Sequence, residues 1–232
     1  MVKKNVIPLY HGAPVIIAKP KFGLGKPFKD YGLGFYCTEH LELAKEWACT
    51  LDTDGYANHY QLDMRKLAVL DLSAPKYTVL HWLALLIDNR RFQMATPLMR
   101  NGVNWLKTHF LLDISPFDLI IGYRADDSYF SFARAFLSNT ITLNQLAYAM
   151  RLGKLGEQIV LKSPKAFDAL KFVGYEQADN QTYYAKRMAR DSQARADFRA
   201  ELERENIDGL FLMDLIRGKV TPDDPRIRSN LP

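Results

Sequence analysis

Cysteine is scarce in this chain: Cys37 and Cys49 are the only two in 232 residues. Two thiols make no disulfide framework, and five scattered histidines do not complete a metal-ligand spacing with them, so no structural metal is expected. Long apolar runs are missing as well. The opening MVKKNVIPLYHG holds two lysines but no apolar stretch of signal-peptide length, and no later segment approaches a membrane span. A cytoplasmic protein that engages no membrane is expected. Neither an internal repeat nor a coiled coil is visible.

What is present is ordinary for a globular chain: 48% hydrophobic and 25% charged residues, in a length that can bury a core as one large or two small domains. The net charge of +5 is uneven. Residues 1–175 carry 21 Lys/Arg against 15 Asp/Glu, whereas residues 176–232 carry 10 against 11. A basic surplus of this kind can attract an anionic dinucleotide or a nucleic acid, although a solvated basic surface is its commoner cause. No helix-turn-helix, zinc finger or basic aromatic repeat accompanies it, so nucleic-acid binding as a self-sufficient function ranks low.

VIPLYHG reads as a short apolar strand ending in a turn, and PVIIAKP as a second apolar run bounded by prolines. The loop KFGLGKPFKDYGLG, with four glycines, one proline and several lysines, is a candidate ligand-covering loop. GLGFYCTEHLELAKEW then places Tyr36 at a strand end and Trp47 on the following helix, with Thr38 as the expected cap. YANHYQLD and LAVLDLS have strand character, and residues 76–112 form a helical insertion. FDLIIGYRADD returns to strand. SYFSFARAFL and TLNQLAYAMRLG suggest two helices, EQIVLKS a strand, and SPKAFDALKFVGY a helix opened by a serine cap and proline. After Tyr175 the chain becomes polar: RMARDSQARADFRAELEREN is a helix of mixed charge, IDGLFLMDLIRG a hairpin or helix, and residues from about 221 a loose tail. The expected division is residues 1–175 and a C-terminal extension, 176–232, packing on them.

LYHG, GLGFYCTEHLELAKEW and GEQIVLKSPKAF, in this order and with this internal spacing, resemble the ADP-ribosyltransferase fold. From about Leu9 to Gly174 the chain is similar to an uncharacterised bacterial family of that superfamily, which shares the YHG start, the KDYGLGFY turn, an NR at a helix end, DLIIGYRADD and a late EQ strand. The resemblance implies an α+β fold: a split, bent pair of small antiparallel sheets, with a helical insertion and a C-terminal helical extension. It also implies NAD as substrate.

Carried onto these positions, the H-Y-E pattern of the poly(ADP-ribose) polymerases and diphtheria toxin gives His11 a ribose hydroxyl and Gly12 the nicotinamide carboxamide. Tyr36 and Trp47 would sandwich the nicotinamide ring, for which aromatic faces are suited. Packing beneath the helix is the other reading of both. Ala44 departs from the pattern, standing where the polymerases use a serine. In GEQIV, Glu157 matches the catalytic carboxylate that stabilises positive charge at the anomeric carbon, and Gln158 is its rival, because adjacent strand residues face opposite ways. Asn89 and Arg90 end a helix, where arginine suits the dipole; Arg90 could also contact the NAD diphosphate or brace an aspartate. Asp126 and Asp127 could bind a metal or position an acceptor, with turn and cap roles the plainer reading.

The implied activity is mono-ADP-ribosyl transfer from NAD to a protein or nucleic-acid acceptor. Hydrolysis of NAD and noncatalytic NAD or nucleotide binding are the alternatives, the last favoured if Gln158 faces inward. By analogy at fold level, such a chain is a bacterial toxin or conflict effector held in check by an antitoxin or regulatory protein.

Overall fold

The computed structural model describes residues 5–125, 127–150, 152, 156–204 and 209–228. The chain begins with β1 (Val6–Ala13), β2 (Phe35–Cys37), α1 (Leu41–Ala48), β3 (Gly55–Asp63) and β4 (Val69–Asp71). It continues through α2 (Val79–Asn89), α3 (Pro97–Phe110), β5 (Leu119–Tyr123), α4 (Asp127–Leu137) and α5 (Leu143–Ala149). The remaining elements are β6 (Glu157–Leu161), α6 (Pro164–Asp168), β7 (Leu170–Ala178), α7 (Asn180–Leu202), α8 (Leu212–Arg217) and α9 (Pro225–Arg228).

These elements build an α+β fold on two small sheets, ordered β1-β3-β7 and β2-β6-β5-β4. The first is antiparallel throughout. The second is mixed rather than antiparallel as expected, because β4 and β5 run parallel. A parallel pair needs a long crossover, and the insertion containing α2 and α3 supplies it. One bridge joins the sheets: Tyr10 and Thr38 exchange backbone hydrogen bonds of 2.8 and 3.0 Å. Thr38 is therefore a sheet residue, and His40 takes the N-cap position of α1 instead.

Alternation along the strands sends side chains into two cores. Leu9, Cys37, Tyr60, Leu62, Leu119, Ile159 and Leu161 pack in one. Leu70, Ile120 and Val160 point the other way, into a larger core with Tyr36 and the helices. At its centre lies α2, whose residues Val79–Ile87 are all buried, as expected of a helix apolar on every side.

Several expectations change. PVIIAKP forms no strand; Val15 and Ile16 are exposed, and the chain is pinned by a hydrogen bond from Ile17 N–H to Asn58 Oδ1 at 2.7 Å. The serine-capped helix is only α6, and the residues after it form β7, which pairs with β3 and runs across residue 175. Of the two forms left open for IDGLFLMDLIRG, its described residues take the helix, α8, with Leu212 and Leu215 buried. The segment expected to be a loose tail is packed as far as Ile227, which is 1% exposed. Among the described residues no helix is long and apolar enough to cross a membrane.

Candidate functional site

The turn DYGLGFY is fixed by hydrogen bonds that its glycines permit. Tyr36 Oη donates to Gly32 O at 2.6 Å and accepts from Tyr31 N–H at 3.1 Å. Gly32 has φ of +72°, a left-handed conformation, and a Cβ there would lie 2.5 Å from Asn89 Oδ1. Lys162 Nζ donates to Tyr31 O and Leu33 O, both at 2.6 Å. The Tyr36 ring is thereby a fixed wall, and its hydroxyl is used inside the turn. Burial pushes that phenol above its ordinary pKa.

On β1, His11 Nδ1 lies 2.7 Å from Tyr36 O and the imidazole stacks on Phe35 with centroids 4.2 Å apart. A carbonyl can only accept, so Nδ1 carries the proton and Nε2 keeps its lone pair. Burial, with Lys29 nearby, lowers the pKa from 6.5 to about 4, despite the bond to Tyr36, which raises it. His11 is thus a neutral acceptor at physiological pH.

Gly12 follows. Because Tyr10 bonds Thr38 across the outer edge of β1, alternation turns the Gly12 N–H and C=O to the same edge, beyond the end of the bridge. Its missing side chain has a second cause: a Cβ would stand 2.1 Å from Ala44 O and 2.7 Å from Ala48 N. Helix α1 crosses β1 in direct backbone contact. That contact sets Trp47 beside the cleft.

His11, Gly12, Tyr36, Trp47, Arg90 and Gln158 all line one cavity of about 670 Å³. Lys26, Lys29, Arg124 and Arg187 line it too, and among the described residues Asp30 is its only acidic wall, so that described basic side chains outnumber acidic ones five to one. Desolvation and the neighbouring charge of Arg124 lower the pKa of Lys29, the mark of a crowded cationic site. The Arg124 guanidinium lies 3.7 Å from the Trp47 ring centroid. The guanidinium covers that face of the indole, so a planar ligand reaches the ring there only by displacing Arg124.

Asp30 organises the floor. Its Oδ1 accepts from Arg90 Nε and Nη2 at 2.9 and 2.6 Å, and its Oδ2 from Ala125 N–H at 3.0 Å and Gln158 Nε2 at 2.9 Å. Gln158 Nε2 also donates to Tyr123 O at 3.2 Å. With both amide hydrogens engaged, Gln158 has its carbonyl oxygen to offer the cavity. Arg90 therefore braces an aspartate, one of its three expected roles.

Glu157 is not in this cleft. Gln158 shares a face with Val160 and Tyr36, whereas Glu157 shares one with Ile159 and lines a separate cavity with Glu39 and Asp71. Desolvation and the Asp71 charge raise its pKa. The expectation that Glu157 joins His11 and Tyr36 is corrected by the register of β6, which pairs Tyr36 with Val160.

Sequence reading missed Asp30 and Arg187. Asp30 immediately precedes the quoted turn, and that position was the available signal; its partners lie up to 128 residues away. Arg187 comes from α7, held on α1 by the Arg190–Glu46 ion pair at 2.7 Å. Asp126 and the Asp127 side chain lie outside the described residues. Among the described residues, no group of three or more His, Cys, Asp or Glu could hold a metal ion.

A family model described as a protein of unknown function, DUF3990, matches residues 7–172. That is well over half of the chain, which therefore belongs to this family. No curated protein and no solved structure matches it.

Proposed function

We infer that this DUF3990 protein binds NAD in the cleft, breaks its nicotinamide–ribose bond and passes ADP-ribose to a macromolecular acceptor, as an ADP-ribosyltransferase-like enzyme. The observation that carries this reading is the convergence of His11, Gly12, Tyr36 and Trp47, from one strand of each sheet and a helix, on one cationic cavity. The donor set fits the dinucleotide. Basic side chains suit its diphosphate, the Gly12 edge offers a donor and an acceptor to a carboxamide, and aromatic faces suit a flat pyridinium. The His11 Nε2 lone pair suits a ribose hydroxyl.

In the reaction the bond between the anomeric carbon and the nicotinamide nitrogen breaks, and its electron pair neutralises the pyridinium. A lone pair of the acceptor forms the new bond, and the acceptor's proton passes to solvent. Gln158 Oε1 is assigned the role of opposing the positive charge that develops on the ribose. With water as acceptor the same step is hydrolysis.

A second reading, binding of NAD without turnover, has its own support: Asp30, the one carboxylate among the described residues of the cleft, is already engaged by Arg90, Gln158 and Ala125. An amide opposes positive charge less well than a carboxylate. Calorimetric titration with NAD, beside nicotinamide release with and without cell extract, separates the readings. Release that depends on Gln158 supports transfer or hydrolysis, and its extract dependence distinguishes the two. Binding without release supports the second reading, and absence of binding by the folded protein overturns both.

A further inference from the structure

The first 29 residues contain six lysines and no acidic residue. Four of those lysines, Lys19, Lys21, Lys26 and Lys29, line a second cavity of about 490 Å³ that shares His11, Lys26, Lys29 and Tyr36 with the first. The backbone carrying them is anchored at both ends, by Tyr60 Oη on Ile17 O at 2.5 Å and by the Asp30 contacts, while every residue from Lys21 to Lys29 is exposed. Apolar side chains stand among the lysines. Phe22 is 48% exposed, with its ring against Phe167 at 5.7 Å; Leu24 is 78% exposed; and Phe28 is 54% exposed, with the Arg91 guanidinium 4.5 Å from its ring centroid.

Phe167 and Arg91 cover these rings only in part, and the ring surface left facing water is costly unless something covers it. We propose that the segment Lys19–Lys29 binds a single strand of nucleic acid and leads it into the cleft. A cationic groove along the phosphates with aromatic faces for unstacked bases is the combination by which single strands are held without sequence preference. The groove is concave, with its lysines on the wall, which suits a strand better than a flat membrane surface. An acidic peptide would satisfy the lysines but give the rings nothing to stack upon. The two cavities also hold more cations than one diphosphate neutralises. The strand's role as the acceptor rests on the transfer reading; its binding does not.

The test is fluorescence anisotropy of labelled single-stranded DNA and RNA of about 15 nucleotides with the full chain, without NAD. Duplex DNA, polyglutamate and phosphatidylserine vesicles serve as competitors. K19A/K21A should weaken strand binding and make the slope of log affinity against log salt shallower by about 1.4, since each phosphate contact contributes about 0.7. Phe22→Ala should cost about tenfold. These residues are exposed, so an unchanged melting temperature confirms folding. Equal or tighter binding of duplex, polyglutamate or vesicles overturns the proposal, as does strand binding that neither variant alters. NAD titrated into the same samples keeps the readings apart. Strand binding without NAD binding removes the transfer reading and leaves this site standing; NAD binding without strand binding does the reverse. Where both bind, transfer of labelled ADP-ribose to the oligonucleotide supports the acceptor role, and its absence overturns that role.

Discussion

On one face of β6, Gln158 looks into a cleft walled by Lys29, Arg90 and Arg124; on the other, one residue away, Glu157 shares a shallow cavity with Glu39 and Asp71. The cationic side carries the amide and the acidic side the carboxylate, the reverse of what local charge balance would choose. Asp30 explains the cationic side. Its carboxylate already stands there, and Gln158 donates to it at 2.9 Å. A carboxylate at 158 would meet like charge and lose the donation. Glu157, with Asp71 and Glu39 as neighbours, has a raised pKa because its surroundings favour the protonated form.

The comparison breaks most severely if Asp30 is removed. Asp30→Ala leaves Arg90 without its carboxylate and strands the Gln158 and Ala125 donors, and should cost about 3 kcal/mol in denaturant unfolding. A loss within error would mean that Asp30 does not organise the floor. Gln158→Glu should cost about 2 kcal/mol at pH 7 by like-charge contact. The introduced carboxyl has a folded pKa above its unfolded one, so the deficit relative to the native protein should shrink as pH falls towards 5. A pH-independent deficit would point to lost shape instead of charge.

His11 sharpens the comparison through pH. Its folded pKa of about 4 lies below the ordinary 6.5, so between these values the unfolded chain binds a proton that the folded one refuses. Stability should fall as pH drops through that window, and His81, buried in α2 and also lowered to about 4, adds to the fall. Following each imidazole by NMR separates the two. A His11 ring that titrates near 6.5 would mean that folding does not desolvate it, and would remove its share of the pH dependence. The smallest effect belongs to Glu157→Gln, less than about 0.5 kcal/mol, with NAD affinity unchanged in calorimetry. A large loss of affinity would place Glu157 in the site after all.

Much of the site was legible because its chemistry is local. His11 and Gly12 adjoin, and Tyr36 and Trp47 are linked by a short turn and a helix whose periodicity is plain. Strand β7 was not legible, because LKFVGYEQA is half-exposed and its polar end resembles a linker; pairing with β3 makes it a strand. The parallel pairing of β4 and β5 was equally hidden. Strand character says nothing of direction, which the crossover through α2 and α3 sets.

The sequence by itself determined that Glu157 and Gln158 face opposite ways, that a glycine turn precedes an aromatic pair, and that the larger part of the chain is basic. Only the tertiary structure decided which of the two enters the cleft, since alternation fixes relative direction and pairing with β2 and β5 fixes the absolute one. It also decided why Gly12 is glycine, through the Ala44 carbonyl that its Cβ would strike. The Asp30 hub joins residues 30, 90, 125 and 158. No local pattern contains such a set, because hydrogen bonds among distant residues exist only once the strands and helices carrying them have packed.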